Sequence, residues 1–111
     1  MTTNMDPTLP IREQAAAYEA VVEGTSCNQA SFKTRKGSFL FIGPGPKGVG
    51  YKAMFKLKAS RAQAEQLAKD QPQRFEVGSS VWVTTRFSAE EPLTQEIWGP
   101  WLDESYALTQ K

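Results

Sequence analysis

The sequence predicts an α+β domain of about five antiparallel strands with helices packed on one face, in the order α-β-β-β-α-β-β-α. Three observations predict it. Apolar residues recur at helical spacing near both ends of the chain. Apolar and polar residues alternate through "GYKAMFKLK" at 50–58, the period of a half-buried strand. Between these regions, short apolar runs are separated by glycine-bearing turn signals. At 111 residues the chain has the length of one domain, 1–111, with no room for a second core.

The elements follow in order. Residues 1–8 read as frayed, and Ile11, Ala15, Tyr18 and Val22 then predict a helix over 10–23 that ends at Gly24. "SFKTR" and "SFLFI" read as strands around the turn signal Lys36-Gly37, and "GYKAMFKLK" as the next strand. Ser60 opens a helix with Gln63 placed to complete a capping box, an apolar stripe at Ala64, Leu67 and Ala68, and Pro72 beyond its end. "RFEV", "GSS" and "VWVTTRF" form a second hairpin over 74–87. The last segment is helical but interrupted at Gly99-Pro100, which predicts one turn near 94–98 and a second helix with Pro100 at its first position.

Composition narrows the function. There is no histidine, which removes Ser-His-Asp and Cys-His nucleophilic sites and the usual imidazole metal ligands. The expectation is a non-enzyme with no cofactor and no bound metal. One cysteine, Cys27, excludes an internal disulfide and fits a reducing compartment. No apolar run approaches the ~20 residues of a membrane span, and "MTTNMDPTLP" lacks the regions of a signal peptide. A cytoplasmic, membrane-free monomer is the default expectation.

Net charge is +1, yet the charges are segregated. Gly24 through Ala64 holds eight basic and no acidic residues, whereas Ser88 through Gln110 holds five acidic and no basic ones. A local basic face is therefore compatible with a near-neutral chain.

Gly43, Gly45 and Gly48 spell G-x-G-x-x-G in "FLFIGPGPKGVGYKAMF". A dinucleotide site needs that turn to open a helix whose amides meet the phosphates. Here it enters a strand, and two variable positions are prolines without an amide hydrogen. The P-loop pattern fails as well, because Tyr51 stands where lysine should follow. The expectation is a structural hairpin loop holding Lys47 at its tip.

Alternation sends Tyr51, Ala53, Phe55 and Leu57 inward and Lys52, Met54, Lys56 and Lys58 outward. The same reasoning buries Phe32, Thr34, Val81 and Val83 and exposes Lys33, Arg35, Trp82, Thr84 and Arg86. The facing of Phe39 and Phe41 stays open. An open face bearing Lys33, Arg35, Lys52, Lys56, Lys58 and Arg86 beside Trp82 has the residue types of a nucleic-acid surface: cations for phosphates and an aromatic for stacking. Exposed lysines also solubilise a sheet and block edge pairing, a purely structural reading. Cys27 reads as a small hydrophobe or bystander, and Trp98, Trp101 and Tyr106 as core. Glu90, Glu91, Glu96, Asp103 and Glu104 lack a calcium-loop pattern and read as a solvated helix face.

The runs "EGTSCNQASFKTRKGSFLFI", "FKLKASRAQAEQL", "VWVTTRF" and "ESYALT", in this order, resemble the MmcQ/YjbR family from about residue 11 to the end. The resemblance implies a CyaY-like α/β fold and DNA binding with a double-wing arrangement. One departure is "VGSSVW", where many members carry an Asn-Lys-Lys-His-Trp run and this chain keeps only Trp82. The acidic ridge of frataxin-like proteins is not reproduced by Asp6, Glu13, Glu19 and Glu23, so iron binding does not carry over. The combined expectation is DNA binding of low sequence specificity through Lys33, Arg35, Lys47, Lys52, Lys56, Lys58, Trp82 and Arg86. The alternative is a protein-interaction or small-ligand module built on the tryptophans of the last helix.

Overall fold

The computed structural model describes residues 6–26, 28–45 and 48–110. Six antiparallel strands form one sheet: β1 (Val22–Ser26), β2 (Gln29–Thr34), β3 (Gly37–Pro44), β4 (Tyr51–Lys56), β5 (Phe75–Val77) and β6 (Trp82–Phe87). Their spatial order is β1-β2-β3-β4-β6-β5. Three helices, α1 (Leu9–Ala17), α2 (Arg61–Asp70) and α3 (Gln95–Leu108), pack on one face through Ile11, Ala15, Ala64, Trp101 and Leu102. The α+β class and the one-sided helix layer are as expected. The sheet has one strand more.

That extra strand is β1, which corrects the helix expected over 10–23. Only Ile11 and Ala15 of α1 are buried, so its apolar stripe is a single i, i+4 pair. The chain becomes extended at Tyr18 and passes through Ala20 at φ 59° before entering β1. There Val22 pairs with Lys33 and Ser26 with Gln29 across a two-residue hairpin connection that includes Asn28 at φ 70°. Cys27 lies outside the described residues. At the other end of α1 the Asp6 carboxylate accepts the Thr8 backbone N–H at 2.8 Å and meets Arg12 at 2.9 Å. Burial pushes the Asp6 carboxyl up, but those hydrogen bonds and the Arg12 charge outweigh it and leave it below its ordinary value. Residues 6–8 are thus anchored rather than frayed.

The core row runs straight across the sheet: Phe32 pairs with Leu40, Leu40 with Phe55, Phe55 with Val83, and Val83 with Val77. A second row joins Ala30, Ile42, Ala53, Thr85 and Phe75. Beyond the Phe32 row, on the side away from Ala30, the β2–β3 register slips, with Phe32 opposite Leu40 but Lys33 opposite Ser38. Phe39 is the extra residue of this bulge, and it is buried together with its neighbour Leu40. The alternation then resumes and Phe41 falls on the opposite face. Full burial of each such side chain contributes about 1.5–3 kcal/mol before entropy is counted.

Two helix ends differ from expectation. Ser60 makes no side-chain cap, so the capping box with Gln63 does not form. Gln63 instead accepts the indole N–H of buried Trp101 at 3.0 Å, while Glu104 takes over the free amides at the start of α2. The last helix is continuous through Pro100 rather than broken there. Gly99 explains the tolerance: without a Cβ it stays helical before proline, a position that crowds other residues. No helix among the described residues is long and apolar enough to cross a membrane.

Candidate functional site

With all three helices on one face, the other face of the sheet is left open among the described residues. Pairing places Ser31, Phe41, Met54, Thr84 and Glu76 in one row across it. One step toward one end of the strands, Gly43, Lys52 and Arg86 form the next row, and toward the other end Lys56 stands opposite Trp82. Lys33 and Ser38 share the face beyond the bulge. The arrangement follows from period two in regular strands, where directly paired residues point the same way.

The centre is aromatic. Phe41 and Trp82 lie with ring centroids 5.3 Å apart and planes tilted by 48°, although β4 runs between their strands. The two rings therefore meet over β4. Lys56 holds its ammonium 5.3 Å from the Trp82 centroid, a cation–π contact that sets a charge on the ring. Cations stand toward both ends: Lys52 paired with Arg86 at one, Lys56 and Lys33 at the other. Among the described residues one carboxylate, Glu76, enters the face from β5 and is bound to Arg86 at 2.5 Å.

Of the residues predicted from sequence, Lys33, Lys52, Lys56, Trp82 and Arg86 are brought together here. Arg35 is not. It falls in the turn after β2, where Arg35, Lys36, Ala20, Thr109 and Gln110 line an open cleft of about 480 Å³. Lys58 is also removed from the face, because β4 ends at Lys56 and the Lys58 backbone turns toward Glu104. Lys47 lies outside the described residues. Phe41 and Glu76 were missed: the bulge hid the facing of the first, and only the β5–β6 register reveals the second.

The glycine loop connects β3 to β4 as an antiparallel hairpin. The Gly45 N–H donates to the Gly50 carbonyl at 2.9 Å and the Gly48 N–H to the Gly45 carbonyl at 3.0 Å. These amides are committed inside the loop, as a structural connector requires. Elsewhere, Trp101 is fully buried and Trp98 is 7% exposed, so the last helix presents no tryptophan-lined groove. Asp103 accepts the Tyr18 hydroxyl, Glu104 serves α2, and Glu91 lies 3.8 Å from Arg74. Among the described residues no three acidic or cysteine side chains gather in a metal-holding group.

The sequence matches no protein-family model, and no curated protein matches it. A structural likeness exists to a crystal structure of a protein from Pseudomonas syringae, solved by the Northeast Structural Genomics Consortium. That likeness has a TM-score of 0.61 at 11% sequence identity and covers 96% of this chain and 100% of the other. At this identity the two share a fold, and the fold is what the likeness establishes.

Proposed function

We propose that this protein binds nucleic acid, DNA in the first instance, through the open face of its sheet. The observation that carries the reading is the bracketing of an aromatic pair by Lys33, Lys52, Lys56 and Arg86 on a face no helix covers. Cations on such a face neutralise phosphates along a backbone without reading base edges, so sequence specificity is low. The resemblance to the MmcQ/YjbR family supports the same role, and membership of that family is part of the proposal. So is a non-enzymatic, monomeric protein of the cytoplasm, which fits the absence of histidine and the single cysteine.

The test is fluorescence anisotropy with labelled random-sequence DNA, offered both as duplex and as single strand, at low and moderate salt. A Lys33→Glu, Lys52→Glu, Lys56→Glu variant is run alongside. Binding should weaken steeply with salt, and the variant should fold but lose binding at least tenfold, because each lost phosphate contact removes one counterion-release contribution. Equal behaviour of variant and wild type, or no binding of either form at tens of micromolar, removes the proposal.

A further inference from the structure

Resting on the reading that the open face binds nucleic acid, we infer that its preferred ligand is single-stranded, with bases stacked on the Phe41 and Trp82 rings. Both side chains belong to strands, Phe41 to β3 two residues past its bulge and Trp82 to β6, and they lie against each other across β4 rather than at a loop tip. That location decides between two uses of an aromatic at a nucleic-acid surface. A wedge that unstacks a duplex must protrude far enough to enter between base pairs. A platform lies flush with a sheet and receives bases that are already free. Phe41 and Trp82 are half-buried within the sheet surface, which is the platform arrangement.

A duplex gives such a platform nothing to hold. Its base faces are occupied by their neighbours, and its surface presents phosphate and sugar, which the lysines would meet while the rings stayed idle. A single strand offers both chemistries at once: phosphates for the cations at the two ends of the face, and π-faces for the rings between them. Lys56 fits the same picture. Its ammonium already rests over the Trp82 ring, and an arriving base takes that place while the ammonium turns to a phosphate. Among the described residues the charges facing the platform are Lys33, Lys52, Lys56 and Arg86, with Glu76 offsetting Arg86, a net basic surface that suits a polyanion. Because every base has a π-face, the stacking is tolerant of sequence.

The test compares three labelled probes of equal phosphate number: an oligothymidine, the same strand with abasic sites, and a duplex. Binding is measured by anisotropy for wild type and for Phe41→Ala, Trp82→Ala, Phe41→Tyr and Trp82→Phe. The oligothymidine should bind about tenfold or more tightly than the abasic strand, and more tightly than the duplex. Each alanine variant should lose about tenfold for oligothymidine and less than about twofold for the abasic strand, while the aromatic-for-aromatic variants retain binding. If an alanine variant does not fold, the wild-type comparison of oligothymidine with abasic strand decides alone. Equal affinity for oligothymidine and abasic strand, or tighter duplex binding, overturns the stacking inference and leaves a phosphate-binding face. Failure to bind any of the three at low salt overturns the nucleic-acid reading itself.

Discussion

Glu104 reaches from α3 to the backbone of Lys58, whose N–H it accepts at 2.6 Å, and the same carboxylate takes the N–H groups of Ala59 and Ser60. A single side chain distant in sequence thus satisfies three amides at the start of α2, which Ser60 leaves uncapped. Burial alone would raise the Glu104 carboxyl, but the hydrogen bonds from Ser60, Lys58 and Ala59 outweigh it and hold the group below its ordinary value. A depressed folded value means that the stabilisation is complete above the unfolded value of about 4.3 and is lost as pH falls through the folded one. Glu104→Ala should therefore cost about 1–2 kcal/mol in urea denaturation at neutral pH, with a smaller difference from wild type at pH 3. A difference independent of pH would show that the carboxylate charge is not what caps the helix.

Tyr18 makes the opposite case. Its ring stacks on Tyr106 at a centroid distance of 4.2 Å and its hydroxyl donates to Asp103, tying the end of α1 to α3. Burial and then the Asp103 hydrogen bond raise its ionisation above the ordinary tyrosine value. A raised folded value gives stability that is present below about pH 10 and lost as pH rises through the folded value. Tyr18→Phe keeps the stack and removes the hydroxyl. It should lower stability by about 1 kcal/mol at neutral pH and flatten the decline on the alkaline side, as read by denaturation at neutral and alkaline pH. An unchanged alkaline slope would sink this assignment.

How much of this was legible beforehand depends on where the strands are regular. Lys52, Lys56, Trp82 and Arg86 were placed correctly because β4 and β6 keep period two along their length. Arg35 and Lys58 were misplaced because each lies just past a strand end, where alternation stops carrying information. Phe41 sat in the unbroken apolar run "SFLFI", and a bulge at Phe39 put two consecutive residues on the core side before it. β1 was hidden because an edge strand exposed along most of its length shows no buried stripe, while Tyr18 and Val22 happen to fall at helical spacing. The Glu104 cap joins residues 44–46 positions apart, a relation that no local pattern encodes.

The glycine loop supplies a stability prediction. A Cβ on Gly45 would collide with the carbonyl oxygen of Val49, which is backbone and cannot swing aside. Gly78 has open space around it and no left-handed backbone. Gly45→Ala should accordingly cost about 2 kcal/mol or more through forced backbone displacement, while Gly78→Ala stays within about 0.5 kcal/mol of wild type. Thermal or urea denaturation of the two variants checks it. Similar midpoints for both would mean the loop adjusts freely and the glycine is dispensable.

Gly99 and Pro100 should behave as a coupled pair. Proline in a helix interior lacks the N–H that would reach the Glu96 carbonyl, so Pro100→Ala should stabilise α3, by about 1 kcal/mol or more. Gly99→Ala alone places a Cβ before proline, where the helical conformation is crowded, and should be neutral or destabilising despite the space around it. In the Pro100→Ala background the same substitution should stabilise by about 0.5–1 kcal/mol, the ordinary preference for alanine over glycine. A double-mutant cycle by urea denaturation reads the sign change, and simple additivity would refute the account of the uninterrupted helix.

The Arg86–Glu76 pair sets the charge of the proposed binding face. Glu76 is exposed, so the ion pair contributes little to stability, and removing it should change the unfolding free energy by less than about 1 kcal/mol. Its effect on a polyanion is larger in principle, because the carboxylate both repels phosphate and occupies the Arg86 guanidinium. Glu76→Gln should therefore tighten DNA binding by about twofold to fivefold and steepen its salt dependence, as one more cation becomes available to a phosphate. Arg86→Gln in the same background should abolish that gain. If Glu76→Gln leaves both affinity and salt slope unchanged while Lys52→Glu weakens binding, the nucleic-acid path runs along β3 and β4 and does not reach Arg86.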